Sequence, residues 1–574
     1  MVLRFPSHAV ALTLPERIAG ILAPVFALRG KDDLGIGDTA AMIEFIDWAA
    51  RHGFGLVKIL PINETGGDHS PYNAISSHAL DPTTIHVDPE VRTDEDRIAE
   101  VATEAERVDY STVKPLKSRL LAAAFESFES DCTAEASIRR AALEKFSEEE
   151  AEWLRDYTLF RVLMERNGGS ECWDQWDKAH RSPREAQEWL ARLPAEQQQA
   201  VERRRRFFAY VQWIAFAQWE AVKEHAEKRG VAVMGDIPFG VSYYSVDVWS
   251  RRELFQIRWS GGTPPDKFFK HDPFVQKWGQ NWGVPLYDWE AMRRDSFQWW
   301  RDRIRGVRRF FDLFRIDHVL GFYRVFAFPW RPERNEEFLP LDAAEAQAKA
   351  GGEIPRFLGQ PDDTPAHRAH NRSHGEEILK VIVSEAGEGR VVGEDLGEVP
   401  KYVRPSLKSL GIAGYKIPAW ERDVDGRWIP ASDYEHLSLV TYGTHDHEPL
   451  RVTWEKLVAE AVRSDNQEVR VEMREFCRYV GLRRPPSSFT PELHEALLRT
   501  LFASNSWLAV VMITDLFGRT ERFNLPGVGS GNWTQRIHRP IAELDAEPIV
   551  MKIRGILESG LRCGASADPN RVIG

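Results

Sequence analysis

The sequence predicts an α/β protein built as a (β/α)8 barrel, a TIM barrel with helical insertions between its elements, and three observations predict it. Short, strongly apolar segments recur along the chain, each stops abruptly on polar or acidic residues, and helical periodicities fill the intervals. Parallel strands buried on both faces read as unbroken apolar runs and not as alternation. In a closed barrel of such strands the functional side chains gather at the carboxyl ends, which accounts for the many runs that finish on Asp or Glu.

The runs are LVKILPIN (56–63), VAVMGDIP (231–238), LFRIDH (313–318), RVVGEDLG (390–397), LSLVTYGTHD (437–446) and LAVVMITD (508–515). Ahead of LFRIDH, the residues Trp300, Ile304, Val307 and Phe311 recur at helical spacing and draw one apolar face. A second helix is expected over 211–229, with Gly230 as its stop signal. Residues 88–205 break the alternation. They are rich in Glu, Arg and Ala, with a capping box expected at Ser147 and Glu150 ahead of Leu159, Val162 and Leu163, so a mostly helical insertion is predicted. Residues 331–375 are rich in Glu, Pro and His with little apolar periodicity and predict a loop-rich excursion. The expected organisation is an N-terminal extension at 1–17, a single catalytic barrel over 18–560 and a flexible tail at 561–574.

At 574 residues the chain can bury a large core and still carry insertions, which favours an enzyme over a small binding module. Its net charge of −12, from 87 acidic and 75 basic residues, comes without a basic cluster and argues against a nucleic-acid partner. Four cysteines, Cys132, Cys172, Cys477 and Cys563, stand far apart, so neither a disulfide framework nor a zinc ribbon is expected. No apolar run approaches the roughly 20 residues of a membrane span. Pro15, Glu16 and Arg17 break the apolar stretch near the start, so no membrane association is expected and a cytoplasmic location is.

Retaining cleavage of a glycosidic bond requires two carboxyl groups in one cavity. Asp317 ends LFRID, and Arg315, two residues earlier, lies on the same side of the strand, where its guanidinium keeps a carboxylate ionised and oriented. A simple ion pair at a barrel rim would use the same spacing. Glu394 and Asp395 end RVVGED on opposite sides of their strand, so one faces the cavity and the other supports it. Asp446, in GTHDHE, ends a third strand, with His445 beside it. This is an arrangement suited to sugar hydroxyls and to a transition state with positive charge at carbon. The same string offers a rival, since His445 and His447 would point to one side of a strand and, with Glu448, can be read as metal ligands; no matching HxH or HExxH partner accompanies them, and no metal or other cofactor is expected.

With these residues in view, the chain resembles the amylomaltases or disproportionating enzymes, the 4-α-glucanotransferases of glycoside hydrolase family 77, from about residue 18 to 540. LRGKDDLGIGD (28–38) and HSPYNAISSHALDP (69–82) are similar to the family's opening motifs, and the latter implies that Tyr72 lies by the sugars. GDIPFGVSYYSVDVW (235–249) implies Asp236 as a sugar-binding residue, TPPDKF gives Asp266, and GQNWGVPLYDW (279–289) gives Gln280 and Trp282. RIDH and GEDLG imply Asp317 as nucleophile and Glu394 as general acid/base, with Arg315 and Asp395 at their sides. GTHD implies His445 and Asp446, the latter as transition-state stabiliser, and RFNLPGVGSGNW (522–533) implies Asn524 as a polar contact. Most of the 20 Trp residues are expected to fill the core; Trp282 and Tyr72 are expected as sugar platforms.

The chain departs from the family pattern at His447, where Asn is usual, and at Val284, where WGNP is common. His447 is expected to add a titratable group near the site. The activity the resemblance implies is transfer of a segment of an α-1,4-glucan or maltooligosaccharide to the 4-hydroxyl of another glucan or of glucose. Its rivals are an α-amylase-like hydrolase, a glucan-binding protein without activity and a metal-dependent barrel hydrolase.

Overall fold

The computed structural model describes residue 14 and residues 16–88, 105–266, 272–463, 466–528 and 531–562. Twelve strands form among them: β1 (Ile18–Leu22), β2 (Leu56–Lys58), β3 (Ala232–Ile237), β4 (Phe255–Thr263), β5 (Gln280–Tyr287), β6 (Leu313–Ile316), β7 (Val325–Phe328), β8 (Arg356–Leu358), β9 (Val391–Gly393), β10 (Gly414–Lys416), β11 (Ser438–Val440) and β12 (Leu508–Met512). Eight of them make a parallel sheet in the order β10-β11-β12-β1-β2-β3-β6-β9. A parallel bridge between Val392 of β9 and Ala413, just ahead of β10, joins the two ends. The sheet therefore closes, and around the closed barrel its strands follow one another in chain order.

Each of the six apolar runs supplies one barrel strand, as their unbroken hydrophobicity predicts. β1 and β10 complete the set. Trp300 and Ile304 are buried on the helix Gln298–Val307, and Phe311, past its end, packs on β3. There Gly235 admits the ring: a Cβ at that position would lie 2.2 Å from Phe311. The helix before β3 is longer than its periodicity suggests, running from Ala195 to Lys228, and Gly230 follows it with a φ of 68° that only glycine takes without strain.

The insertion is helical, with Tyr110–Ser130, Ala134–Glu149, Ala151–Arg166 and Pro183–Arg192 in succession. The expected capping box at Ser147 and Glu150 does not form. Ser147 lies in the last turn of the helix Ala134–Glu149, which continues because Leu143 and Phe146 are buried, and its hydroxyl donates to the Leu143 carbonyl. Residues 331–375 are also more ordered than a loop. They hold the helices Asn335–Phe338 and Ala343–Lys349, the strand β8 and the first half of the helix Pro365–Ala386. A capping box does form here, at Asp342 and Glu345, and Phe338 stacks on Trp330 with ring centroids 3.7 Å apart. A few apolar anchors suffice for such short elements, too few to register as periodicity.

The remaining strands form an antiparallel sheet, β5-β4-β7-β8, contributed by the segments on either side of β6. β4 and β5 approach closely at Gly262, whose Cβ would fall 1.9 Å from the Gln280 carbonyl oxygen. Residues 1–13 of the expected extension, 89–104 of the insertion and the tail from Cys563 lie outside the described residues. Among the described residues no helix is long and apolar enough to cross a membrane.

Candidate active site

Three neighbouring strands set the centre. Asp236 on β3 is in register with Arg315 on β6, and Ile316 on β6 with Gly393 on β9. Asp317 and Glu394, each the next residue along, therefore leave adjacent strands at one level. Arg315, 2 % exposed, divides its guanidinium between two carboxylates. Nη1 donates to both oxygens of Asp236 at 2.8 and 2.9 Å, and Nη2 lies 2.8 Å from Oδ1 of Asp317. The planar fork fixes both carboxylates, which an ammonium could not do. After Asp317 the chain turns through His318, whose φ of 42° is left-handed, and the His318 N–H donates to Oε2 of Glu394 at 2.8 Å. The Leu396 N–H donates to Oε1 at 3.2 Å.

Burial raises the proton affinity of both groups. Asp317 is pushed up to about 6, with Asp236 and Asp446 adding to the effect of burial and Arg315 opposing it. Glu394 is pushed up to about 7 by burial and by Asp317, again against Arg315. Near neutral pH this leaves one ionised carboxylate beside one carboxyl able to give a proton. Asp446 differs: burial raises it too, but the His445 ring, the hydrogen bond from Asn524 and Arg315 outweigh burial and hold it below the usual value. Asp446 lies in the loop beyond β11 and not at the strand end, and Nδ2 of Asn524 donates to its Oδ1 at 2.5 Å.

The residues around this centre fall into two groups. Tyr72, Asp266, Gln280, Trp282, His445 and Asn524 line one cleft of about 1860 Å³ together with Arg315, Asp317, Glu394, Asp395 and Asp446. Asp236 is instead sealed beneath it, accepting from Arg315 and, at 2.9 Å, from the Tyr72 hydroxyl. Asp395 touches the cleft wall, but its carboxylate is committed to the Tyr415 N–H at 2.6 Å and to Arg404 at 2.9 Å. Both carboxylates are engaged in holding other residues. Tyr72 stacks on His445 with centroids 4.9 Å apart, and Trp533, which the motif reading did not single out, borders both rings. On the far wall Trp282 packs edge-on against His318 at 4.8 Å.

A cleft of this volume exceeds the roughly 300–1,000 Å³ of a pocket for one small ligand and suits a chain of linked units. Comparison with known proteins gives the chemistry. The 4-alpha-glucanotransferase family profile matches residues 23–542. The chain belongs to the 4-alpha-glucanotransferase family. It is 30% identical over 564 residues to the 4-alpha-glucanotransferase of Chlamydia muridarum, covering 94% of each chain, and 29% identical to that of Aquifex aeolicus, covering 94% of this chain and 99% of the other. Among solved structures, the amylomaltase from Streptococcus agalactiae in complex with acarbose superposes with a TM-score of 0.75 at 25% identity, covering 95% of this chain and all of that one.

In this glucanotransferase the two departures from the family pattern have local explanations. His447 is not a free titratable group: burial lowers its proton affinity, and its Nδ1 accepts from the Thr444 N–H at 3.1 Å. Val284 fills the space over Gly240 and Gly261, where any Cβ would press on it. The groups of the metal reading also face apart. His445 Nε2 lies 3.3 Å from Asp446, His447 turns to Thr444, and Glu448 pairs with Lys456. Neither histidine sits on a strand, since β11 ends at Val440.

Lys58, in the first apolar run, is marked by no motif, yet it lies under the centre. It is 1 % exposed, with Nζ 3.1 Å from the Tyr415 hydroxyl and 3.8 Å from Asp236. Burial lowers its pKa to about 8 despite the attraction of Asp236, so it remains largely charged at neutral pH and helps keep the carboxylates above it ionised. Lys58→Met is therefore expected to move the acid limb of the kcat/KM profile to higher pH by up to about one unit. The unfolding midpoint of the variant relative to the parent is also expected to be higher at pH 7 than at pH 10.5. The folded pKa lies below the unfolded one of 10.5, so the cost of charging Lys58 appears as pH falls through 10.5 and is complete below about 8. An unmoved acid limb would remove Lys58 from the electrostatics of the site.

Proposed function

We propose that the enzyme transfers α-1,4-glucan segments by retaining double displacement, with Asp317 as nucleophile, Glu394 as general acid/base and Asp446 as the carboxylate that favours the charged transition state. What carries this reading is the pairing across β6 and β9: an ionised Asp317 held by Arg315 stands next to a Glu394 whose proton affinity is raised to about 7. Arg315 holds Oδ1 of Asp317, so Oδ2 attacks the anomeric carbon. As that bond forms, the glycosidic C–O bond breaks and the proton of Glu394 passes to the leaving 4-oxygen. A β-glucosyl ester of Asp317 results. Glu394, now a carboxylate, takes the proton of an acceptor 4-hydroxyl, whose oxygen attacks the same carbon and releases Asp317.

Transfer and hydrolysis differ in whether a sugar or water meets the ester. Aromatic surfaces retain an acceptor glucan, and Tyr72 and Trp282 stand on the cleft walls to do so. The substrates of this reading are maltooligosaccharides and α-1,4-glucans, with glucose as an acceptor, and the setting is the cytoplasm. Maltotriose is expected to give glucose and longer maltooligosaccharides at a constant number of reducing ends, counted separately from released glucose. Rising reducing ends without longer products would favour the hydrolase.

A further inference from the structure

We infer that Tyr244, with Tyr243 and Arg331 behind it, forms a remote glucosyl-binding subsite of the cleft, and that the helical insertion holds this subsite in place. The inference rests on the cleft being one that binds α-1,4-glucan. Tyr243 and Tyr244 line the same cleft as the catalytic carboxylates. A series of contacts separates them from the nucleophile: Arg331 covers Tyr243, the next residue Pro332 packs on Gly283, and Trp282 beside Gly283 packs on His318, the neighbour of Asp317.

The support is layered. Trp173 of the insertion stacks on Tyr243 at 5.1 Å and 18° and donates its indole N–H to the Tyr243 carbonyl at 2.9 Å. Arg331 covers the Tyr243 ring at 4.0 Å and is tied to Asp174 of the insertion at 3.1 Å. Tyr243 is thus held by its neighbours. Tyr244 stands perpendicular to it, at 5.1 Å and 87°, half-buried, with its hydroxyl donating to exposed Glu333 at 3.3 Å. A fixed aromatic ring with a carboxylate at its edge matches a glucosyl unit, which offers an apolar C–H face and a rim of hydroxyl donors. Ordering the ring beforehand removes the entropy cost that a mobile side chain would incur on binding.

The subsite is remote, so it acts on long chains and not on short ones. The ratio of kcat/KM for maltoheptaose to that for maltotriose is expected to fall about five- to tenfold in Tyr244→Ala. Tyr244→Phe, which keeps the ring, is expected to retain the wild-type ratio. A Tyr244→Ala ratio within twofold of wild type overturns the inference, and so does a Phe variant as impaired as the Ala variant. Should Tyr244→Ala not fold, crystals of Asp317→Asn soaked with maltoheptaose decide the matter. A glucosyl ring against Tyr244 supports the subsite, and a bound chain that leaves Tyr244 bare overturns it. That soak reports binding whatever chemistry the carboxylates perform, so its failure is distinguishable from failure of the proposed mechanism.

Discussion

Asp317→Asn is expected to lower kcat on maltotriose by on the order of 10⁴- to 10⁶-fold, the range seen when single members of a catalytic group are removed. The amide keeps the shape of the carboxylate but offers no oxygen able to form the glucosyl ester. The scaffold should survive, because Arg315 retains two bonds to Asp236. Stability should respond with a definite sign. Asp317 has its pKa raised from 3.8 to about 6 in the folded protein, so ionising it opposes folding, by an amount that builds as pH rises through that interval and is complete above it. The Asn variant is therefore expected to melt higher than the parent at pH 7 and level with it below pH 3.8. Equal melting at both pH values would mean that the carboxylate is not strained by burial, and retained turnover would remove it from the reaction.

The parts of this site that can be read from the chain are those a strand states locally. LFRID and RVVGED carry their carboxylates at the ends of apolar runs, and barrel geometry sends such ends to one face. What lies across strands is not stated locally. Arg315 is two residues from Asp317, yet it is bound as closely to Asp236, 79 positions earlier, and only register brings them together. Asn524 lines the cleft, and the bond of its amide to Asp446, 78 positions away, is stated by no local motif. Lys58 shows the reverse: a single cation within a buried strand is visible in LVKILPIN, and its meaning depends on Tyr415, 357 positions on. The antiparallel sheet β5-β4-β7-β8 was likewise hidden, because β4 and β5 carry Trp, Gly and Arg at bulged positions in place of clean alternation.

Glu394→Gln separates the two halves of the mechanism. General acid catalysis contributes about 10²- to 10⁴-fold, so the variant is expected to lose that much on maltotriose, whose leaving 4-oxygen needs a proton. A maltosyl donor with a fluoride leaving group needs none, and its first step should be far less affected. The second step still lacks a base, so the ester on Asp317 should accumulate and appear in the intact mass of the protein with one maltosyl unit added. The pH profile should change in parallel. In the parent, kcat/KM is expected to rise as Asp317 ionises and to fall as Glu394 loses its proton, the two carboxyls being raised to about 6 and about 7. Gln does not titrate, so the variant should keep the acid limb and lose the basic one. Equal losses with both donors would show that position 394 does not deliver the proton, and a basic limb that persists would assign it to another group.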